Sequence, residues 1–370
     1  MNAMPSPLLP VPSGPPAVPV GALAPLSRPG WVEAGRHLLA GLELAVSEVN
    51  RAGGIGGRPL ALVVRDTAGD PERAAKAVEE LAGLGVAAVT GEYHSVVARA
   101  AAAKADELGL PFLCSSAVLD GLTEGPTDRV ARLAPAQSHG WRLYADFLRD
   151  AGHTRIAVAT EPGEYWASGA RILRDRLAAH GGSVTTLDAR ALSPAAVCEA
   201  LAAHGIGALL LLVGVPEPAA SLVRAVRRDR RLAGLLLGAP AGQPEFAGWW
   251  DLLGDEGAGI PFLRYLPERL GPRGVRVEAA LRERLGTAPS FVAFEGHDTI
   301  TVLAEALRSH GTDRARLAAS WARVTVDGTR GTITFTRVAG IGVRQWAWAP
   351  VQVVDRDPAR PDRFRVLRSS

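Results

Sequence analysis

No stretch of this 370-residue chain approaches the roughly twenty consecutive apolar residues that cross a bilayer, so membrane insertion is not expected. Cysteine is almost absent. The two present, Cys114 and Cys198, make no disulfide framework and are read as buried free thiols. Metal motifs are missing as well: there is no HExxH and no paired CxxC, and Glu295-x-His297 alone is too little to hold an ion. Nor is there a nucleophile elbow or a phosphate loop, since Gly53 to Gly57 follows a helical pattern where a dinucleotide loop follows a strand. No metal and no cofactor is expected. Residues 1–20 hold no Lys or Arg and seven prolines, which is not the pattern of an export signal, and they contain no cysteine for a lipid. As written, the chain is expected in the cytoplasm; if it has been trimmed from a longer product, it is expected outside the cell or at its surface. Charged residues are scarce at 21%, against 47% hydrophobic, which excludes disorder and allows a large core. With a net charge of +3, there is little ground for a polyanionic partner. The cluster Arg224, Arg227, Arg228, Arg230 and Arg231 and the arginines from Arg356 to Arg368 read as solvated faces, so no nucleic-acid partner is expected.

What the chain does have is clearest between residues 38 and 72. Leu38, Leu42, Ala45, Val46 and Val49 recur at helical spacing on one face. Gly53 and Gly54 stop that helix, and Pro59 opens an extended segment. Leu60 to Val64 is a continuous apolar run, the pattern of a strand buried on both faces. Asp70 then caps a helix that begins with Pro71.

This alternation repeats. Strands are expected at Val18–Ala24, Ala87–Thr90, Phe112–Cys114, Ile156–Ala159, Ala208–Val213 and Leu235–Leu237. Helices are expected near Pro71–Leu84, Ser95–Leu108, Gln137–Ala151, Trp166–His180, Pro194–His204 and Glu217–Arg228. Such alternation implies parallel sheets with right-handed crossovers. Single cores stop growing at roughly 250 to 300 residues, so two α/β lobes are expected.

The segments "GLELAVSEVNRAGGIGGRPLALVVRDTAGDPERAAKAVEEL" and "GLPFLCSSAVLDGLT", with "EYWASGARILRDRL", "FEGHDTITVLAEAL" and "VDGTRGTITF", resemble the leucine/isoleucine/valine-binding protein family. These are the type I periplasmic solute receptors of ABC transporters. The resemblance runs from about Val20 to Phe335. It implies two Rossmann-like lobes with parallel sheets, joined by three crossover strands and closing by hinge motion around a small ligand. By that analogy, residues 17–133 and 262–322 form the N-terminal lobe, and 134–261 with 323–368 the C-terminal lobe. Residues 1–16 are expected to be a disordered proline-rich leader.

In open α/β sheets, ligands bind beyond the carboxyl ends of the strands. Three loops there are legible: Pro25 to Trp31, Glu92 to Ser95, and Ser115 to Val118. The resemblance implies a grip on a ligand carboxylate by Ser95, Ser116 and Ala117, with Tyr93, His94, Ser115 and Val118 in the same loops. It implies an aromatic contact at Tyr165 and Trp166, while Trp31 is suited to wall the apolar side. Two departures stand out: Val118 where relatives place a hydroxyl, and Pro240 with its neighbours where amino-acid receptors place an acid. An ammonium without a carboxylate is costly to bury, leaving Glu92 or Glu164 to supply the missing charge.

The expected function is therefore a non-catalytic binding protein for an amino-acid-like or related partly apolar carboxylate or amide, resembling the substrate-binding component of a branched-chain amino acid ABC transporter. Its partners would be a small-molecule ligand and an ABC permease or a regulated protein. Two alternatives stay open. One is a cytosolic ligand sensor. The other is a pathway enzyme on the same fold, with Glu92 and His94 as acid and base because residues two apart on an extended segment share a face. His297 and Asp298 read as structural, Asp298 as a cap or hinge contact at a helix start. Trp249 and Trp250 read as core or rim packing of the second lobe, and Trp321, Trp346 and Trp348 as packing.

Overall fold

A computed structural model describes residues 15–370, so all but the last two residues of the expected leader lie outside the described residues. In chain order the first half runs β1 (Val18–Ala24), α1 (Val32–Arg51), β2 (Leu60–Asp66), α2 (Pro71–Gly83), β3 (Val89–Gly91), α3 (Ser95–Glu107), β4 (Phe112–Cys114), β5 (Val130–Arg132), α4 (Gln137–Asp150), β6 (Arg155–Thr160), α5 (Glu164–Ala178), β7 (Ser183–Asp188) and α6 (Pro194–His204). It continues with β8 (Ala208–Leu212), α7 (Ala219–Arg228), β9 (Leu236–Gly238), α8 (Ala247–Leu253), β10 (Phe262–Arg264), α9 (Pro272–Leu285), α10 (Phe291–His310), α11 (Arg314–Ala318), β11 (Thr325–Asp327), β12 (Thr332–Thr336), β13 (Arg344–Trp346), β14 (Gln352–Asp357) and β15 (Arg360–Ser369).

These strands make two lobes. The first is an eight-stranded sheet in the order β11-β12-β13-β5-β4-β3-β1-β2. The second holds a parallel sheet, β7-β6-β8-β9, which the bond from Ala239 N to Pro261 O (2.9 Å) joins to the antiparallel set β10-β14-β15. Residues 325–346 therefore pair with the first sheet, not with the second lobe as residues 323–368 were expected to do: β13 lies parallel to β5, and β12 antiparallel to β13.

The punctuation read from residues 50–72 holds in detail. Gly53 and Gly54 carry φ of 95° and 74°, and a Cβ on Gly54 would stand 2.1 Å from the Arg58 carbonyl oxygen. The Asp70 side chain accepts from Arg73 N at 2.8 Å. The Asn50 amide bonds both polar atoms of the Leu60 backbone, fixing where β2 begins. One expectation fails: β2 is an edge strand, paired only with β1, and beyond Leu60 its side chains are half-exposed rather than buried on both faces.

Helices α1 and α10 pack backbone to backbone, because Gly41 and Gly296 leave no side chain between them; a Cβ on Gly41 would sit 1.9 Å from the Ala293 carbonyl oxygen. Asp298 lies inside α10, not at a helix start. Its carboxylate takes Arg330 Nε at 2.9 Å, and that guanidinium reaches Glu295 at 3.3 Å and the Tyr265 carbonyl oxygen at 3.3 Å. Trp249, Trp321 and Trp346 are buried, whereas Trp348 is 84% exposed and packs in no core. Cys114 and Cys198 are free and buried. Three arginines of α7 and the turn after it are held by their own surroundings: Arg224 by the Leu252 carbonyl, Arg227 by that of Ala258, and Arg231 by Glu199 and Asp229.

Candidate functional site

The loops of the first lobe are positioned by carboxylates at strand ends. Asp66, closing β2, accepts from Leu26 N and Ala68 N, both at 2.8 Å, and so shapes the 25–31 loop. Glu92, fully buried after β3, accepts from Tyr93 N (2.9 Å), His94 N (3.1 Å) and the Thr67 hydroxyl (2.7 Å). His94 Nδ1 stands 3.2 Å from the same carboxylate, and His94 Nε2 accepts from Trp31 N at 3.3 Å. That donor fixes the tautomer: Nδ1 carries the proton and gives it to Glu92. Both ring nitrogens are engaged, so Glu92 and His94 tie two loops together and leave no free base facing a reactant.

Helix α3 starts directly after this knot. The amides of its first turn have no partner within the helix and form its positive end. Ser95 accepts from Val118 N and Leu119 N at 3.2 Å each, leaving its own hydroxyl proton to donate. These elements face a cleft of about 1300 Å³ between the lobes.

Of the residues read from the sequence, Trp31, Tyr93, His94, Ser95, Ser116, Val118, Tyr165 and Trp166 lie on the cleft wall. Ser115 and Ala117 are fully buried beside β4 and do not reach it. Pro240 is buried, and its neighbour Ala241 takes the wall position. Glu164 is exposed at the start of α5 and pairs with Arg99 of the other lobe, so neither it nor Glu92 offers a free charge to the cleft. His297 points away, onto Glu48 at 2.9 Å. Glu295 lies wholly buried, its pKa pushed up to about 7 by that burial while Arg330 pulls the other way.

Several residues in the wall or packed against it were not anticipated from the sequence. His37, on the inner face of α1, is 4% exposed; Ser290 N donates to its Nδ1 at 3.0 Å, which places the ring proton on Nε2. Burial, assisted by Arg36, lowers its pKa to about 4, so the ring is neutral near pH 7. Gln243 comes from a single 3-10 turn after β9, and Phe291 from the start of α10. Phe246 reaches across from the second lobe to Trp31, with ring centroids 4.8 Å apart, and to Tyr93 at 6.0 Å. Glu33 on α1 spans the same gap, its carboxylate accepting from Ala247 N (2.8 Å) and Gly248 N (3.2 Å).

Two open α/β lobes, three connections between them and a ligand-sized cleft at the strand ends coincide with a family signature, that of periplasmic binding proteins, which matches residues 17–357. The chain belongs to the periplasmic binding protein family. Among curated members, the Leu/Ile/Val-binding protein homolog 3 of Brucella melitensis is 29% identical over 147 residues, 40% of each chain, so the match spans less than half of that relative's length. Among solved structures, the leucine binding protein LivK of Thermotoga maritima superposes with a TM-score of 0.80 at 20% identity, covering 95% of this chain and 97% of its own. A solute binding protein of an ABC transporter from Rhodopseudomonas palustris, in complex with p-hydroxybenzoic acid, gives 0.79 at 16% identity, covering 96% and 97%. These similarities establish the periplasmic-binding-protein type I fold. Among the described residues, no helix is long and apolar enough to cross a membrane, and no cluster of three or more His, Cys, Asp or Glu is arranged to hold a metal.

Proposed function

We propose that this protein binds one small, partly apolar carboxylate or amide between its lobes and closes around it, as the solute-binding component of an ABC transporter. The observation that carries this reading is the pair of wall types facing each other across the cleft. On one side stand the Ser95 hydroxyl and the amide end of α3, suited to a carboxylate; on the other stand Tyr165 and Trp166, suited to an apolar body. Contacts of Glu33 and Phe246 across the gap supply the surfaces that closure brings together. Relatives described as Leu/Ile/Val-binding proteins, and neighbours described as binding leucine or p-hydroxybenzoic acid, bracket the ligand classes to try. Delivery to a permease would place the protein outside the cytoplasmic membrane, against the cytoplasmic expectation. Fractionation of the native host separates the two, and a cytosolic protein would favour a sensor.

A thermal-shift panel of branched and aromatic amino acids, their amides and the corresponding acids without the amine tests the reading. A one-site ligand at about a hundred times its Kd adds about 2.7 kcal/mol of stability. A shift with any member supports the proposal, and none across the panel overturns it.

A further inference from the structure

We infer that the cleft is built for an aromatic acid bearing a ring hydroxyl and no ammonium group, with His37 and Gln243 reading the hydroxyl. The inference rests on the binding reading above and specifies its ligand. It begins with charge. An α-amino acid needs a carboxylate beside its ammonium, and the acids of this cleft are either engaged by the protein's own donors or, for Asp251, exposed at its rim. Glu33 is occupied by two backbone amides, Glu92 by the Thr67 hydroxyl, two amides and His94, Glu164 by Arg99, and Glu295 lies buried against Arg330; Asp251 is exposed at the rim. A buried ammonium would thus lack a partner, while a lone carboxylate still finds the amide end of α3 and the Ser95 hydroxyl.

The far wall carries the second half of the argument. Gln243 is 2% exposed and lines the cleft. Its Nε2 donates to the Val213 carbonyl oxygen at 3.2 Å, which fixes the orientation of the amide, and its Oε1 has no partner. His37 faces the same corner: its ring lies 6.2 Å from that of Phe246, whose backbone N bonds the Gln243 carbonyl oxygen at 3.3 Å. With Nδ1 committed to Ser290, His37 has one remaining polar hydrogen, on Nε2.

One acceptor and one donor therefore come from two cleft-lining residues that share Phe246 as a neighbour, and Phe246 in turn pairs with Phe291. A hydroxyl satisfies both, donating to Gln243 Oε1 and accepting from His37 Nε2–H. An ammonium cannot accept, so it leaves the histidine proton facing a cation. A methyl group leaves Oε1 unpaired. The aromatic side chains of the wall are suited to a flat apolar body.

Calorimetric titration with 4-hydroxybenzoate, benzoate, 4-fluorobenzoate, L-phenylalanine and L-leucine tests this. 4-Hydroxybenzoate is expected to bind about tenfold or more tightly than benzoate, with 4-fluorobenzoate no better than benzoate and both amino acids weaker. Gln243→Leu is expected to erase the hydroxyl preference, bringing 4-hydroxybenzoate and benzoate to within about threefold of each other. The fluoro comparison in the wild-type protein decides the point should the variant fold poorly. Tighter binding of either amino acid, equal binding of the three benzoates, or a hydroxyl preference that survives Gln243→Leu overturns the inference and leaves the broader reading standing. Silence from these five and from the thermal-shift panel overturns both.

Discussion

Glu33 on helix α1 of the first lobe accepts a hydrogen bond from the backbone nitrogen of Ala247 in the second, at 2.8 Å. This carboxylate crosses the cleft without belonging to either core, so it acts on the angle between the lobes rather than on the stability of one. Glu33→Ala should weaken closure by about 1–2 kcal/mol, the range for a partly exposed charge-assisted bond. Ligand affinity should fall by about five- to thirtyfold in calorimetry, while the unliganded midpoint of thermal unfolding moves little. A large loss of stability with unchanged affinity would place Glu33 in the fold instead.

Glu92 and His94 lend themselves to an acid–base reading because they sit two residues apart; the structure gives them different work. Removing the buried carboxylate strands the Thr67 hydroxyl, two amides and the His94 ring. Glu92→Ala should cost about 2–4 kcal/mol in urea unfolding, and Glu92→Gln, which keeps an acceptor, less than half of that. Equal, negligible effects of both would free these residues for another role.

Two buried groups give the stability a pH dependence of opposite sign. Burial keeps Glu295 protonated up to about 7 in the folded chain, against 4.5 when exposed. Between those values the folded state holds the extra proton, so this contribution falls as pH rises. His37 is neutral down to about 4 when folded and titrates at 6.5 when exposed, so the unfolded state holds the extra proton and stability falls as pH drops from 6.5 to 4. Urea unfolding between pH 4 and 7.5 should lose the decline toward neutrality in Glu295→Gln and the decline toward acid in His37→Asn. Slopes unchanged in either variant would contradict the assignment.

Much of this architecture is legible in the sequence where local signals agree with burial. The limits of β1, β4 and α6 follow directly from an apolar run, a short apolar stretch between Pro111 and Ser115, and a Ser-Pro cap. β7 escapes because SVTTLD is polar and largely exposed at a sheet edge, and β14 and β15 because their Arg and Asp residues pair across an antiparallel ladder rather than forming an apolar stripe. The first-lobe wall is readable because caps and strand ends mark its loops. The second is less so: Gln243 opens and Phe246 follows a single 3-10 turn without periodicity, and Pro240 is displaced from the wall by its neighbour. His37 was findable, as a polar ring on the apolar face of α1, flanked by the buried Ala34, Leu38 and Gly41 and one turn from Glu33.

The central claim is closure of two lobes around one ligand. Small-angle X-ray scattering during titration with a compound that passes the thermal-shift panel tests it most directly. The account predicts a radius of gyration that shrinks and levels off at one ligand per chain, with Glu33→Ala starting more open and requiring more ligand. Saturating binding with no change in the radius, in either protein, would contradict it.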